Sequence, residues 1–348
     1  MAQHVFVGMS GGVDSSLSAA LLLEQGYQVT GVYMKNWSKD LPGFSCPWKE
    51  DYQDARRVAV QLGIPCLLYD FESHYRDRVV NYLVEGYRAG ITPNPDIMCN
   101  QEIKFKLFLE TALENGADLI ATGHYARIAA DGSLLTGRDP QKDQSYFLYR
   151  VEQQALARSL MPIGALHKTD VRRQAAMRNL YTADKKDSQG ICFVGKVGIK
   201  EFLLAELGPQ QPGPIIDQAG ITIGQHDGAL FYTIGQRHGL DVGGGLPYYV
   251  VDKNMDTNEV YVSTKLDDAR LWLTDISLGA LHWITRAPKS GEPLQVRTRY
   301  RAPLVACQLS SQAGSVSLQL DEAVRAVTPG QSAVIYSGEH CLGGGIVQ

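Results

Sequence analysis

The stretch His4-Val5-Phe6-Val7-Gly8-Met9-Ser10-Gly11-Gly12-Val13-Asp14-Ser15-Ser16 decides the fold. Its first half is a short apolar run, as expected of a strand buried on both faces of a sheet. Its second half is a Gly-rich turn. Ser15 to Gln25 then reads as a helix, apolar through Leu17, Ala20, Leu21 and Leu22, with Gly26 as the expected C-cap. Strand, turn and helix in that order aim backbone N–H groups and a helix N-terminus at one point, where an anion is favoured. Gly11 and Gly12 permit the backbone geometry and the close approach this needs. Ser10, Ser15 and Ser16 add hydroxyl donors. Asp14 would repel a phosphate and is better suited to a Mg²⁺ that bridges phosphates. The turn is neither a Walker A sequence nor G-x-G-x-x-G, and no lysine follows it to reach a terminal phosphate. An ordinary Gly-Gly turn before a capped helix is the plain alternative. The position after the first strand of an α/β unit favours a ligand loop.

Outward from this loop, strand-like and helix-like runs alternate. Strands are expected at Gln28–Met34, Cys66–Phe71 and Asp118–Thr122, and helices at Asp51–Leu62, Tyr75–Ala89 and Lys104–Asn115. This alternation predicts a parallel sheet with helices on both faces. Residues 140–205 then read as mostly helical, with basic side chains at Arg172, Arg173, Arg178, Lys185 and Lys186. From about Pro209, Gly and Pro become frequent and short β runs dominate, which predicts one or two small β-barrels. The expected units are a catalytic α/β domain over 1–138, a mostly helical segment over 139–208 and a β-rich region over 209–348.

The chain of 348 residues is too long for one ordinary core. A net charge of −4 argues against a nonspecific nucleic-acid coat protein but leaves local basic patches possible. No run approaches the ~20 apolar residues of a membrane span, and Met1-Ala2-Gln3-His4 carries no secretory signal, so a cytoplasmic location is expected. The six cysteines, at 46, 66, 99, 192, 307 and 341, form no C-x-x-C pair, so neither a structural zinc site nor a disulfide framework is expected. Cys66 and Cys307 read as inert core, and Cys46 is given no role.

Two cysteines stand apart. Cys99 closes the run Thr92-Pro93-Asn94-Pro95-Asp96-Ile97-Met98-Cys99-Asn100, where two prolines stiffen a polar loop and a carboxylate lies three residues before the thiol. Cys192 lies in Asp187-Ser188-Gln189-Gly190-Ile191-Cys192-Phe193, just after Lys185 and Lys186, whose charges would favour a thiolate.

The S-G-G-x-D-S-S loop resembles the PP-loop of the ATP pyrophosphatase superfamily. Members cleave ATP between the α and β phosphates and place AMP on a carbonyl oxygen. The two cysteine segments, together with Ala121-Thr122-Gly123-His124-Tyr125, Lys142-Asp143-Gln144-Ser145-Tyr146-Phe147-Leu148 and Thr233-Ile234-Gly235-Gln236-Arg237, resemble the tRNA-specific 2-thiouridylase family of the bacterial MnmA type along essentially the whole chain. That resemblance implies ATP-dependent 2-thiolation of the wobble uridine of tRNA. It implies a persulfide on Cys192 with Cys99 as partner thiol, ending in a Cys99–Cys192 disulfide. Asp96 is the candidate general acid/base, with a loop-ordering turn as its plain alternative. Gly8, Met9, Ser10, Gly11, Gly12, Val13, Asp14, Ser15, Met34 and Gly123 are implied ATP contacts. Asn94, Pro95, Asp96 and His124 are implied at the target base. Lys142, Asp143, Gln144, Arg299, Tyr300 and Gln331 are implied tRNA contacts. Implied partners are tRNAs for glutamate, lysine and glutamine and a persulfide relay protein or cysteine desulfurase.

Arg297, Arg299 and Arg301 alternate, so on a strand they would share one face and bind RNA phosphates. A charged edge strand is the competing reading. For the whole protein, the competing readings are a PP-loop enzyme that amidates a small molecule and an idle tRNA-binding or sulfur-carrier module. The first gives Cys99 and Cys192 no task, and the second gives the phosphate loop none.

Overall fold

The computed structural model describes residues 2–41, 43, 45–187, 198–240, 242–243, 245, 247–312 and 315–348. Strand β1 (His4–Gly8) leads through the Gly-rich loop into α1 (Val13–Glu24), followed by β2 (Gln28–Lys35), α2 (Trp48–Leu62) and β3 (Cys66–Asp70). A helical run follows, from α3 (Glu72–Tyr75) through a π-helical turn at Arg76–Val80 into α4 (Asn81–Arg88). A second run is formed by α5 (Pro95–Met98), a π-helical stretch at Cys99–Leu107 and α6 (Phe108–Glu114). Then come β4 (Leu119–Ala121), the hairpin β5 (Ala126–Ile128) and β6 (Leu134–Thr136), α7 (Gln153–Ala157), β7 (Ser159–Leu160), α8 (Lys168–Met177) and α9 (Ile199–Leu207).

Five of these strands form a parallel sheet in the order β3-β2-β1-β4-β7. Alternation along β1 loads both faces. Val5 and Val7 pack with Ala19, Leu22, Ala55 and Val58 of α1 and α2. Phe6 faces the other way, into the core built by Tyr75, Val79, Leu83 and Phe108. From β1 the chain moves outward to β2 and β3, then returns to lay β4 on the other side. The loops after β1 and β4 therefore diverge from neighbouring strand ends and leave a crevice between them, the place where open α/β sheets bind ligands.

The remaining chain is β-rich. Strands β8 (Gly213–Ile216), β9 (Thr222–His226), β10 (Tyr249–Asn254) and β11 (Glu259–Ser263) form a four-stranded sheet. Strands β12 (Trp272–Trp283), β13 (Leu294–Arg297), β14 (Val305–Gln312), β15 (Ser315–Arg325), β16 (Ser332–Ser337) and β17 (His340–Val347) close into a six-stranded barrel through the β12–β17 pairing. Its interior holds Ile276, Leu294, Val296, Leu318 and Ile335. The β5–β6 hairpin extends this barrel sheet by pairing with β17, through Leu135 opposite His340 and Leu134 opposite Cys341. Among the described residues no helix is long and apolar enough to cross a membrane.

The expected α/β sheet and β-barrel class is what the chain adopts. Residues 140–205 are less helical than their composition suggests: β7 joins the parallel sheet there, and turns fill much of the rest. The strand expected to carry Arg297, Arg299 and Arg301 ends at Arg297. Arg301 sits at φ +64°, so the chain turns away, and the three arginines do not share a strand face.

Candidate active site

The loop between β1 and α1 is held open at its anion-binding end. Gly12 is the N-cap of α1 and offers no side chain to the first-turn N–H groups. Gly11 sits at φ +73°, and a Cβ there would come within 2.3 Å of the Asp51 carbonyl oxygen of α2. Gly123, just after β4, lies so close that a Cβ would be 2.8 Å from the Ser15 nitrogen. The Ser15 hydroxyl braces the turn, accepting from the Ser10 N–H at 3.1 Å and donating to the Gly12 carbonyl at 3.2 Å. Behind the loop, Met9 is buried in the core, and Met34 packs against Gly8 at the strand ends.

A cleft of about 620 Å³ opens from this loop. Its lining includes Ser10, Gly12, Val13 and Asp14 from the Gly-rich loop and Asp96, Asn100, Lys104 and His124 from α5, the π-helical stretch and the segment after β4. Tyr125, Lys142, Gln144, Asp187, Phe147, Lys186, Tyr300 and Arg301 complete the lining. Of the expected site residues, the cleft gathers Ser10, Gly12, Val13, Asp14, Asp96, His124, Lys142, Gln144 and Tyr300.

The cation that serves this loop carries no local sequence signal. Lys168, the first residue of α8, places Nζ 2.7 and 2.8 Å from the two carboxylate oxygens of Asp14 and 2.8 Å from Asp187 Oδ1. It lies 154 residues from Asp14, so no local spacing announces it. The Tyr125 hydroxyl donates to Asp14 at 2.7 Å; burial and the Asp14 charge push this phenol up. Asp187 is also held by Lys142 at 2.9 Å and Arg172 at 2.7 Å. Burial would raise its carboxyl, but the bonds from Lys168 and Lys142 win and hold it at about 2. Asp14, expected to meet Mg²⁺, is thus already paired with an ammonium. Among the described residues no group of three His, Cys, Asp or Glu side chains forms a metal cage. These residues do not fit a protein-held metal ion.

At α5, the capping task falls to Asn94 rather than Asp96. Its Oδ1 accepts from the N–H groups of Asp96 and Ile97 at 3.1 and 3.4 Å, with Pro95 at the first helical position. That leaves the Asp96 carboxyl to the cleft, where burial pushes it up against a partial offset from Lys104. His124 is buried with Nδ1 2.8 Å from the Thr122 hydroxyl; burial and Lys104 hold it neutral.

Cys99 corrects an expectation. It is not in a loop but opens the π-helical stretch, and it is buried. Cys192 lies outside the described residues. Lys185, expected to act on it, is bound by Asp51 and Asp54 at 2.7 Å each. Cys307 lies in the barrel core with its thiol pushed up by burial to about 11, whereas Cys66, expected in the core, is only half-buried on β3.

Several residues expected at RNA also make bonds within the protein. Asp143 is buried, caps Gly137 and Ser145, and pairs with Arg297 at 3.0 Å. Arg299 is half-buried and donates to the carbonyls of Ile234 and Ala326. The Gln331 amide donates to the Thr92 carbonyl at 2.9 Å. The Gln144 side chain accepts from the Tyr125 N–H. Only Arg301 of the alternating three is exposed, lying over the Tyr300 ring at 5.1 Å.

A parallel α/β sheet with an uncapped Gly-rich phosphate loop at its switch point, facing a cleft with a half-buried carboxyl, defines a PP-loop enzyme. Three family models match in order: a tRNA methyl transferase HUP domain over residues 3–196, a tRNA methyl transferase PRC-barrel domain over 200–264 and an aminomethyltransferase beta-barrel domain over 274–347. Proteins named tRNA-specific 2-thiouridylase MnmA from Hahella chejuensis and Idiomarina loihiensis are each 48% identical over 99% of this chain and cover 97% and 96% of their own lengths. One named tRNA-specific 2-thiouridylase MnmA 2, from Geobacillus kaustophilus, is 49% identical over 99% of this chain and 94% of its own. The chain belongs to the tRNA-specific 2-thiouridylase family.

Proposed function

We propose that this enzyme thiolates a tRNA uridine at C2, using ATP to make the carbonyl oxygen a leaving group. The observation that carries this is the continuity of one cleft, from the open N-terminus of α1 to the Asp96 carboxyl. The names of the full-length relatives supply the same acceptor and the same reaction. The "methyl transferase" wording of two matched models is the competing reading. Methyl transfer gives a phosphate-binding helix terminus no task, so the loop favours adenylation.

The wobble uridine swings out of its stack into the cleft. Its O2 attacks the α-phosphorus of ATP, the bond to the β-phosphate breaks and pyrophosphate leaves. The uracil N3 proton passes to Asp96, whose half-buried carboxyl, pushed up by desolvation, suits both taking and returning it. A persulfide on Cys192 then delivers its outer sulfur to C2 and AMP departs. Cys99 attacks the Cys192 sulfur, freeing 2-thiouridine and leaving a Cys99–Cys192 disulfide. In the second route Cys99 attacks the persulfide first, releases sulfide, and sulfide displaces AMP. Both routes end at the same disulfide, which an external dithiol reduces. The persulfide comes from a relay protein or a cysteine desulfurase, and the substrates are tRNAs for glutamate, lysine and glutamine.

The test measures pyrophosphate release and thiolated tRNA together. Cys99→Ser and Cys192→Ser are each expected to abolish thiolation while tRNA-dependent pyrophosphate release continues for about one turnover. Full thiolation by either variant sinks the two-cysteine mechanism. Pyrophosphate release that needs a small acceptor rather than tRNA sinks the uridine reading.

A further inference from the structure

Asp96, Asn100 and Lys104 are spaced four residues apart along the run from α5 into the π-helical stretch, and all three line the cleft. A π-helical turn inside a longer helix often marks a functional site, because it redirects side chains at the cost of regular bonding. Asn100 is only 3% exposed. Its Nδ2 donates to the Phe147 carbonyl at 3.1 Å, which fixes the orientation of the amide, since a carbonyl partner demands the N–H side. Its Oδ1 therefore faces the other way, and this buried acceptor has no hydrogen-bond partner among the described residues. A buried acceptor left unpaired is costly, and a native protein that keeps one at a cleft wall has a use for it. Lys104, one turn further on, makes no ion pair among the described residues, and its charge is felt at both Asp96 and His124.

We propose that Asn100 selects the base, its Oδ1 accepting the hydrogen bond of the uracil N3–H while Lys104 takes an adjoining carbonyl oxygen. The inference rests on the reading of this cleft as the uridine pocket. The pairing edge of uracil presents a donor at N3 flanked by two acceptors. A fixed acceptor beside a cation is complementary to that pattern. Cytosine presents a lone pair at N3 and an amino group at C4, so its N3 would face the Oδ1 lone pairs and its amino group would face the ammonium. Sites that pair a buried polar group with one substrate reject the analogue that leaves it unpaired. Asn100 and Asp96 then divide the work at N3. Asn100, which cannot take the proton, reads N3–H in the neutral base before reaction; Asp96 is the ionisable acceptor that receives the proton as O2 is adenylated, which breaks the Asn100 bond.

The experiment compares tRNA transcripts with U or C at the target position, binding to the full chain without ATP. Wild type, Asn100→Ala and Asn100→Asp are measured, and the melting temperature of each checks folding. Wild type is expected to favour U by about tenfold or more, the usual worth of a matched base edge. Asn100→Ala is expected to bring the ratio to within about threefold by losing affinity for U. Asn100→Asp keeps an acceptor facing N3 but loses the donor to Phe147, so it is expected to retain the preference. An undiminished ratio in Asn100→Ala overturns the proposal. Equal loss in both variants also overturns it, because Asn100 would then act only through Phe147. If wild type shows neither a preference for U nor tRNA-dependent pyrophosphate release, the uridine reading itself fails.

Discussion

Asp96 carries a conflict between stability and chemistry. Burial raises its carboxyl above the ordinary range, so ionising it costs the folded state more than the unfolded one. Stability from this group is complete below the ordinary carboxylate range and is lost as pH rises through the raised value. Asp96→Asn removes that cost. We expect the variant to melt at a higher temperature than wild type at neutral pH, with the difference vanishing near pH 3, while thiolation falls by about 10²-fold or more. Calorimetry across pH and a single-turnover assay check the two halves. A wild-type rate in Asp96→Asn removes the carboxyl from the chemistry. Lys168 carries the opposite balance. It neutralises Asp14 and Asp187 beside the phosphate loop, and removing it leaves two carboxylates where a polyanion must bind. Lys168→Ala is expected to weaken ATP binding by at least about tenfold, about 1.4 kcal/mol. Lys168→Arg is expected to recover part of it, and equilibrium ATP binding reads both.

At the scale of elements, the phosphate loop depends on what is packed against it. Gly123 follows β4, and a Cβ there would meet backbone atoms of Asp14 and Ser15 at 2.9 and 2.8 Å. Backbone cannot swing aside as a side-chain end can, so Gly123→Ala must push the first turn of α1 away from its phosphate-binding position. We expect ATP affinity to fall by about tenfold or more, with tRNA binding in the absence of ATP nearly unchanged. Loss of both would point to a broken sheet instead. This dependence also shows where sequence reading runs out. The strand-loop-helix order of residues 4–24 is local, encoded by apolar runs and glycines, and it was legible. Gly123 was reachable only through a family resemblance. Lys168, Asn100 and Lys104 were not singled out at all, because their meaning comes from contacts across the fold. The arginine alternation misled for a related reason. Period-two spacing implies a shared face only while the strand continues, and β13 stops at Arg297.

Across the whole molecule, the barrel is fastened to the α/β layer by buried polar bonds rather than by a tether alone. The Thr92 N–H donates to the Pro329 carbonyl at 2.8 Å, and the Gln331 amide returns to the Thr92 carbonyl. Tyr146 donates to the Ser332 carbonyl at 3.0 Å, and Asp143 meets Arg297 across the same seam. The segment that leads into α5 and Asp96 is thereby tied to the barrel at Thr92. This separates two arginines that look alike in sequence. Arg297→Ala strands the Asp143 carboxylate, which is 3% exposed. It should cost about 3–5 kcal/mol of stability, lower the melting temperature, and weaken ATP and tRNA binding together. Arg301 is exposed at the cleft mouth, so its loss leaves no buried charge behind. Arg301→Ala should keep the wild-type melting temperature and ATP affinity, weaken tRNA binding about equally for all tRNA substrates, and lower the salt dependence of that binding by about one counterion. Titrations at several salt concentrations separate the two outcomes. If Arg301→Ala leaves the salt slope unchanged, the tRNA backbone does not cross the cleft at Arg301.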